Sequence, residues 1–281
     1  MYIGTLTLGI IYFIAAFILF VLGRYCFDLT HRGFSLKQEL IERDNVALAL
    51  AFCGYLIGLM LAVGGSLTGP SISLTIDLID IFLYGIIAVV LLNLSVAIND
   101  WLILHRFSSD KEIIQDHNCG VGMIEAANHV AMGLIIYGAV SGGGGVMAVA
   151  LFWVLGQLTL ILAAWIYNRM APFDVHDALE RDNVAVGTAF AGMLLAIGNI
   201  VRFAEQQNFV TWAQNLGFYA TVVLFGLVAL PLARMATDRL ILPGHHLTNE
   251  LVNQERPNLG VGVIEATVYV VISFLIGWCF K

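Results

Sequence analysis

The stretch NCGVGMIEA at residues 118–126 returns as NLGVGVIEA at 258–266. Each copy opens a long apolar run and plants one carboxylate, Glu125 or Glu265, about two helical turns into it. Around these copies the 281-residue chain is 59% hydrophobic and only 12% charged. That is the composition of a helical membrane protein, not of a soluble domain. Eight apolar stretches, approximately 3–23, 45–65, 76–98, 119–140, 146–167, 183–201, 211–233 and 259–280, can each cross a hydrocarbon core of about 30 Å. The first lacks a basic leader and is too long for a signal-peptide core, so it is expected to be a span.

Lys and Arg set the expected orientation. Arg24, Arg32, Lys37, Arg43, Arg106, Lys111, Arg169, Arg181, Arg234, Arg239 and Arg256 follow odd-numbered spans, and only Arg202 and Lys281 lie on the other side. The positive-inside rule then puts both termini outside and the loops after odd-numbered spans in the cytoplasm. The net charge of −7 and the lack of a basic stripe with interleaved aromatics exclude a nucleic-acid partner. Cys26, Cys53, Cys119 and Cys279 share no CxxC spacing, so neither disulfides nor a zinc site is expected.

The duplication extends beyond the opening motif. ERDNVA occurs at 42–47 and 180–185, Ala51-Phe52-x-Gly54-x-Leu56 matches Ala189-Phe190-x-Gly192-x-Leu194, and Asp100-x-Leu102-Ile103-Leu104 matches Asp238-x-Leu240-Ile241-Leu242. The chain therefore reads as a tandem repeat of a four-span unit, 1–140 and 146–281, joined by a flexible linker at Ser141–Gly145. An even number of spans per unit inserts both halves the same way up, as parallel repeats with a pseudo-two-fold axis along the membrane normal. The expected fold is an all-α integral membrane protein of eight transmembrane helices. A fainter match, sliding span two onto span four by 75 residues, pairs Ala47 with Gly122 and Gly58 with Gly133 and would make the protein four helical hairpins. Between the first two spans, Ser35 with Gln38 suggests a capping box and a short interfacial helix.

The ERDN entry, the N-x-G-x-G-x-x-E-A entry and the four spans per unit resemble the DUF350 (YjfL-like) family of bacterial inner-membrane proteins, over nearly the whole chain as two fused units. The resemblance implies a membrane domain of uncharacterised function, in genes near envelope-stress genes and ATP-grasp ligases. It supplies no catalytic residue.

On a helix, Gly122, Glu125, His129 and Gly133 share one face, and Gly262, Glu265, Tyr269 and Ser273 repeat it. Small residues let another helix approach, and an acid among them is expected to turn toward the bundle, across an axis shared by the two halves. Intramembrane acids commonly mark ion pathways. Two readings stay open: a proton or small-cation site at Glu125, His129, Glu265 and Tyr269, or structural locking of the acids by Arg43 or Arg181. Asp44, Asn45, Asp182 and Asn183 are read as helix caps or a cytoplasmic entrance. Arg43 with Asp100 and Arg181 with Asp238 are candidate ion pairs. Asn93, Asn128, Gln157 and Asn199 are expected to hydrogen-bond between helices. No cofactor, metal or catalytic constellation is expected, so the chain is not read as an enzyme. The functional expectation is a transporter or channel for protons or small cations. The alternative is a non-transporting scaffold that recruits a cytoplasmic envelope-stress partner. A homo-oligomer is compatible with either.

Overall fold

The computed structural model describes residues 2–31, 33–69, 71–103 and 109–280, without the side chains of Tyr2, Ile3 and Asp100. Arg32, Arg106 and Lys281 of the charge count fall outside the described residues. Eight helices are long and apolar enough to cross a membrane. They are α1 (Tyr2–Thr30), α2 (Val46–Gly64), α3 (Leu74–Leu102), α5 (Cys119–Ser141), α6 (Gly145–Met170), α8 (Val184–Glu205), α9 (Trp212–Ala236) and α11 (Leu259–Cys279). Short helices α4 (Ser109–Ile114), α7 (Val175–Glu180) and α10 (Leu247–Val252) precede α5, α8 and α11. A π-helical turn, Gln38–Glu42, takes the corresponding place before α2, and the Ser35 hydroxyl accepts the Gln38 N–H as the capping pattern predicts.

Burial divides the long helices. The apolar window of α8 is 89% buried and that of α5 72%, whereas α1 is 17% buried. Helices α2, α5, α8 and α11 stand side by side in that order, and their three contacts are the most extensive in the molecule. Helices α1, α3, α6 and α9 pack around them. The row also forms an apolar cleft of about 480 Å³ lined by core helices alone, with Gly54, Ala126, Ala191 and Ala266 among its walls.

One local arrangement recurs four times. Asn45, Asn118, Asn183 and Asn258 each cap a core helix, accepting the N–H of Leu48, Val121, Val186 and Val261 at 3.0, 3.1, 3.0 and 3.3 Å. The amide of the first three donates onward to a carbonyl of the next hairpin: Ile113 at 2.8 Å, Leu179 at 2.6 Å and Leu251 at 2.8 Å. Glycine four residues after a cap meets the residue two after the preceding cap. A Cβ at Gly122 would sit 2.5 Å from the Ala47 carbonyl oxygen, and one at Gly187 2.6 Å from Gly120 Cα; Gly262 lies as tightly against Ala185. The chain is thus four helical hairpins within two parallel four-helix repeats.

Three expectations change. The hairpins superpose Asn45 on Asn118, a shift of 73 residues rather than 75; the pairs found at 75, Ala47 with Gly122 and Gly58 with Gly133, are residues that touch. The caps are Asn45 and Asn183, whereas Asp44 and Asp182 sit one residue earlier in left-handed backbone (φ 50° and 57°), exposed. An N-cap needs extended backbone to hold its side-chain oxygen over the free N–H groups, so the aspartates make the turn and the asparagines do the capping. The Ser141–Gly145 segment is a tight turn, not a loose tether. Gly143 and Gly145 take φ near 75°, and Gly142 lies against the Glu205 carbonyl, where a Cβ would come within 2.6 Å. The row is also open: the α5–α8 contact has no extensive α11–α2 counterpart.

A bulky residue between core helices should be costly. Gly187→Leu places a side chain into the backbone of Gly120, while Gly217→Leu on α9 meets nothing within 4 Å. Thermal unfolding in detergent should show Gly187→Leu destabilised by about 1–3 kcal/mol or more, with Gly217→Leu near wild type.

Candidate functional site

The stripe of small, acidic and polar residues packs against the preceding core helix. Gly122 and Gly133 approach Ala47 and Gly58 of α2, Gly262 approaches Ala185 of α8, and Ser273 accepts a hydrogen bond from Asn199 of α8 at 2.9 Å. Glu125 and Glu265 therefore do not face one another. Each lies within its own half, and the cavities beside them share no residue. The shared axis is the correction: the glycines bring each stripe onto the core helix of the preceding hairpin, and the acid follows.

In the first half, buried Glu125 lines a cavity of about 30 Å³ together with Phe27, His31, Asp110 and His129. That volume has room for about two or three waters, at roughly 10–15 Å³ of such space each. His129 is buried edge-on to Tyr55, with ring centroids 5.6 Å apart, and its Nδ1 lies 3.3 Å from the Ala51 carbonyl oxygen. A carbonyl only accepts, so Nδ1 carries the hydrogen. In the neutral ring Nε2 then keeps a free lone pair, and it has no hydrogen-bond partner among the described residues.

In the second half the acid is clamped. Arg234 of α9 donates to Glu265 Oε1 at 2.9 Å, and Tyr269 donates to the same oxygen at 2.8 Å. The guanidinium lies over the Tyr167 ring, 5.7 Å from its centroid. The locking cation is thus Arg234 from the neighbouring span, not Arg181, which is exposed beyond α7. The repeat offset of 138 puts Val96 where Arg234 would be, and Val96 lines the Glu125 cavity. Equivalent acids thus have unequal surroundings.

The remaining expected pairs are rearranged. Arg43 bonds Glu39 at 2.7 Å, one turn away, and the side chain of Asp100 lies outside the described residues. Asp238 accepts the Leu247 N–H at 2.7 Å and so ties down the start of α10 rather than Arg181. The interhelical amides are in place. Asn99 of α3 donates to Asn128 of α5 at 2.6 Å and accepts from Gln157 of α6, while Asn93 accepts from the Tyr55 hydroxyl at 3.2 Å. These form a buried polar seam across α3, α5 and α6, beginning one turn beyond Glu125. Sequence reading missed Glu205, because the apolar run was ended at residue 201 and the acid fell into a loop. The helix continues to Glu205, which is 3% exposed. Its neighbour Gly142, in a glycine turn that would seat it closely, was the available signal.

Eight helices long and apolar enough to cross a membrane, a duplicated four-helix unit and a buried acid in each copy define a multi-pass α-helical membrane protein. The model of the Domain of Unknown Function DUF350 matches residues 1–140 and again 143–280, and the chain belongs to that family. It is similar to a UPF0719 transmembrane protein of Aquifex aeolicus (strain VF5), 20% identical over 270 residues, 94% of this chain and 97% of that protein. No solved structure matches the chain.

Removing one member of the clamp should cost more than removing both. Arg234→Met strands a buried carboxylate and should destabilise by roughly 3–5 kcal/mol, whereas Arg234→Met with Glu265→Gln should recover most of the loss. Denaturation of the purified variants in micelles measures both.

Proposed function

We propose that the protein moves protons or small cations across a bacterial inner membrane, with Glu125 as the exchanging group. The observation that carries this is the cavity beside Glu125, lined also by His31, Asp110 and His129 at the end of the molecule that holds the short helices. A carboxyl group, an imidazole with a free nitrogen and room for water are the parts a proton relay uses. The Asn128–Asn99–Gln157 seam adds polar groups deeper in the bundle. In this reading Glu265 is a fastener. Its oxygen already serves Arg234 and Tyr269, and the clamp holds α9 to α11. The termini are on the outer, periplasmic side, so the cavity opens toward the cytoplasm.

A scaffold role at the same face is the second reading. It is favoured by the short helices α4, α7 and α10, which place Asp110, Lys111, Asp177 and Glu250 at that surface. Flux separates the two. Reconstituted protein with a trapped pH dye should acidify or alkalinise liposomes under an imposed potential, Glu125→Gln should abolish the signal, and the folded Arg234→Met, Glu265→Gln double variant should retain it. No signal above empty liposomes under any pH or ion gradient removes the transport reading and leaves the scaffold; full flux in Glu125→Gln removes Glu125.

A further inference from the structure

Glu205 ends α8, at the opposite end of the row of core helices from the asparagine caps. Its side chain is 3% exposed, and neither carboxylate oxygen has a hydrogen-bond partner among the described residues. Glycines make room for it. A Cβ at Gly156 of α6 would lie 3.2 Å from Glu205 Oε1, one at Gly138 of α5 would lie 3.1 Å from Glu205 Cβ, and Val201 and Ile135 fill the same seam.

Among the described residues, the charged and titratable neighbours, Arg202 and Tyr219, are engaged elsewhere. Arg202, one turn earlier, gives its guanidinium to Asn199 at 3.0 and 3.1 Å and to Gln206 at 3.0 Å, and stacks over Phe203. The Tyr219 phenol of α9 shares a 2.8 Å hydrogen bond with Thr159 of α6. From α5 the facing residues, Ile135 and Gly138, carry no charge.

An ionised carboxylate without a partner in hydrocarbon is prohibitively costly, so something must neutralise it. A metal cation would need several oxygen ligands around it, and the residues that close on this carboxylate from α5 and α6, Ile135, Gly138 and Gly156, offer no side-chain oxygen. A proton needs no such shell. We propose that Glu205 is a second proton-binding site, at the end of the bundle opposite Glu125, which exchanges with the water on that side. The exchange is a proton transfer alone: the O–H bond of the acid breaks, a water gains the proton, and the reverse step restores the acid. That Glu205 holds a proton stands by itself; that it is the far station of a route beginning at Glu125 rests on the transport reading. Between them lies the Asn128–Asn99–Gln157 seam, and the Gln157 side chain follows Gly156, the residue against Glu205. The buried Gln157 carbonyl oxygen has no donor among the described residues, so it is free to accept from a passing proton carrier.

Infrared spectroscopy of the reconstituted full chain reads the proton directly. Wild type should show a free-acid C=O band that shifts in deuterated buffer, survives Glu125→Gln and disappears in Glu205→Gln. That variant should keep wild-type thermal stability, since an amide replaces a neutral acid of the same shape. A band unchanged by Glu205→Gln overturns the site. Should Glu205→Gln fail to fold, Glu205→Asp keeps the acid in a new position and must move the band; an unmoved band again overturns it. Liposome flux then tests the route. Folded Glu205→Gln should lose flux as Glu125→Gln does, and normal flux with the band gone overturns Glu205 as a station. If wild type gives no flux at all, the transport reading fails, while the infrared band still decides whether Glu205 holds a proton.

Discussion

The asparagine before each core helix carries the architecture. Its oxygen caps its own helix, and its amide, in three of the four copies, closes onto a carbonyl of the next hairpin. Polar backbone groups at the end of a membrane helix must find partners, because hydrocarbon offers none. A single side chain that satisfies both a free N–H and a neighbour's carbonyl couples the start of one helix to the position of the next. That coupling sets the register at which the glycines meet. Without apolar driving force between helices in lipid, close backbone approach is what holds the row together. The fourth asparagine, Asn258, is exposed and donates to Glu250 at 3.2 Å, as Asn118 does to Glu112 at 3.1 Å.

Duplication then leaves the two halves free to diverge in side chains while sharing a backbone. At matching positions one half has Val96 and His129 where the other has Arg234 and Tyr269. A buried acid beside an arginine and a phenol is a fastener that is costly to break. The same acid beside a histidine and a small cavity keeps room for water. The equal surroundings that the repeat suggests for the two glutamates give way to an acid held by Arg234 and Tyr269 in one half and an acid that lines a cavity in the other. Glu205 adds to the asymmetry, since its counterpart, in the turn that follows α2, is Leu67.

Much of the fold was legible because its causes are local or periodic. The eight spans follow from run length, the four-span duplication from letter-for-letter repeats, and the Ser35 cap from a short motif. Errors gathered where a residue's role depends on a neighbour distant in the chain. Asp44 and Asp182 read as caps because the left-handed turn before Asn45 and Asn183 leaves no mark beyond the residue type. The 75-residue match paired Ala47 with Gly122 for a physical reason: small residues in contact resemble one another as strongly as small residues in equivalent places. Arg234 was counted among the basic residues after a span, yet it lies within α9 and reaches sideways.

By itself the sequence determined a membrane-spanning, duplicated, all-helical chain with an acid planted in each half, since hydrophobic length and internal repetition are written residue by residue. Only the tertiary structure decided that the acids stand apart, that one is tied to Arg234 while the other borders a cavity, and that Glu205 lies buried at the far end. Those outcomes depend on which helix faces which. Between helices that facing is set by glycine contacts and by the reach of the asparagine amides, and neither has a period that a single strand of letters displays.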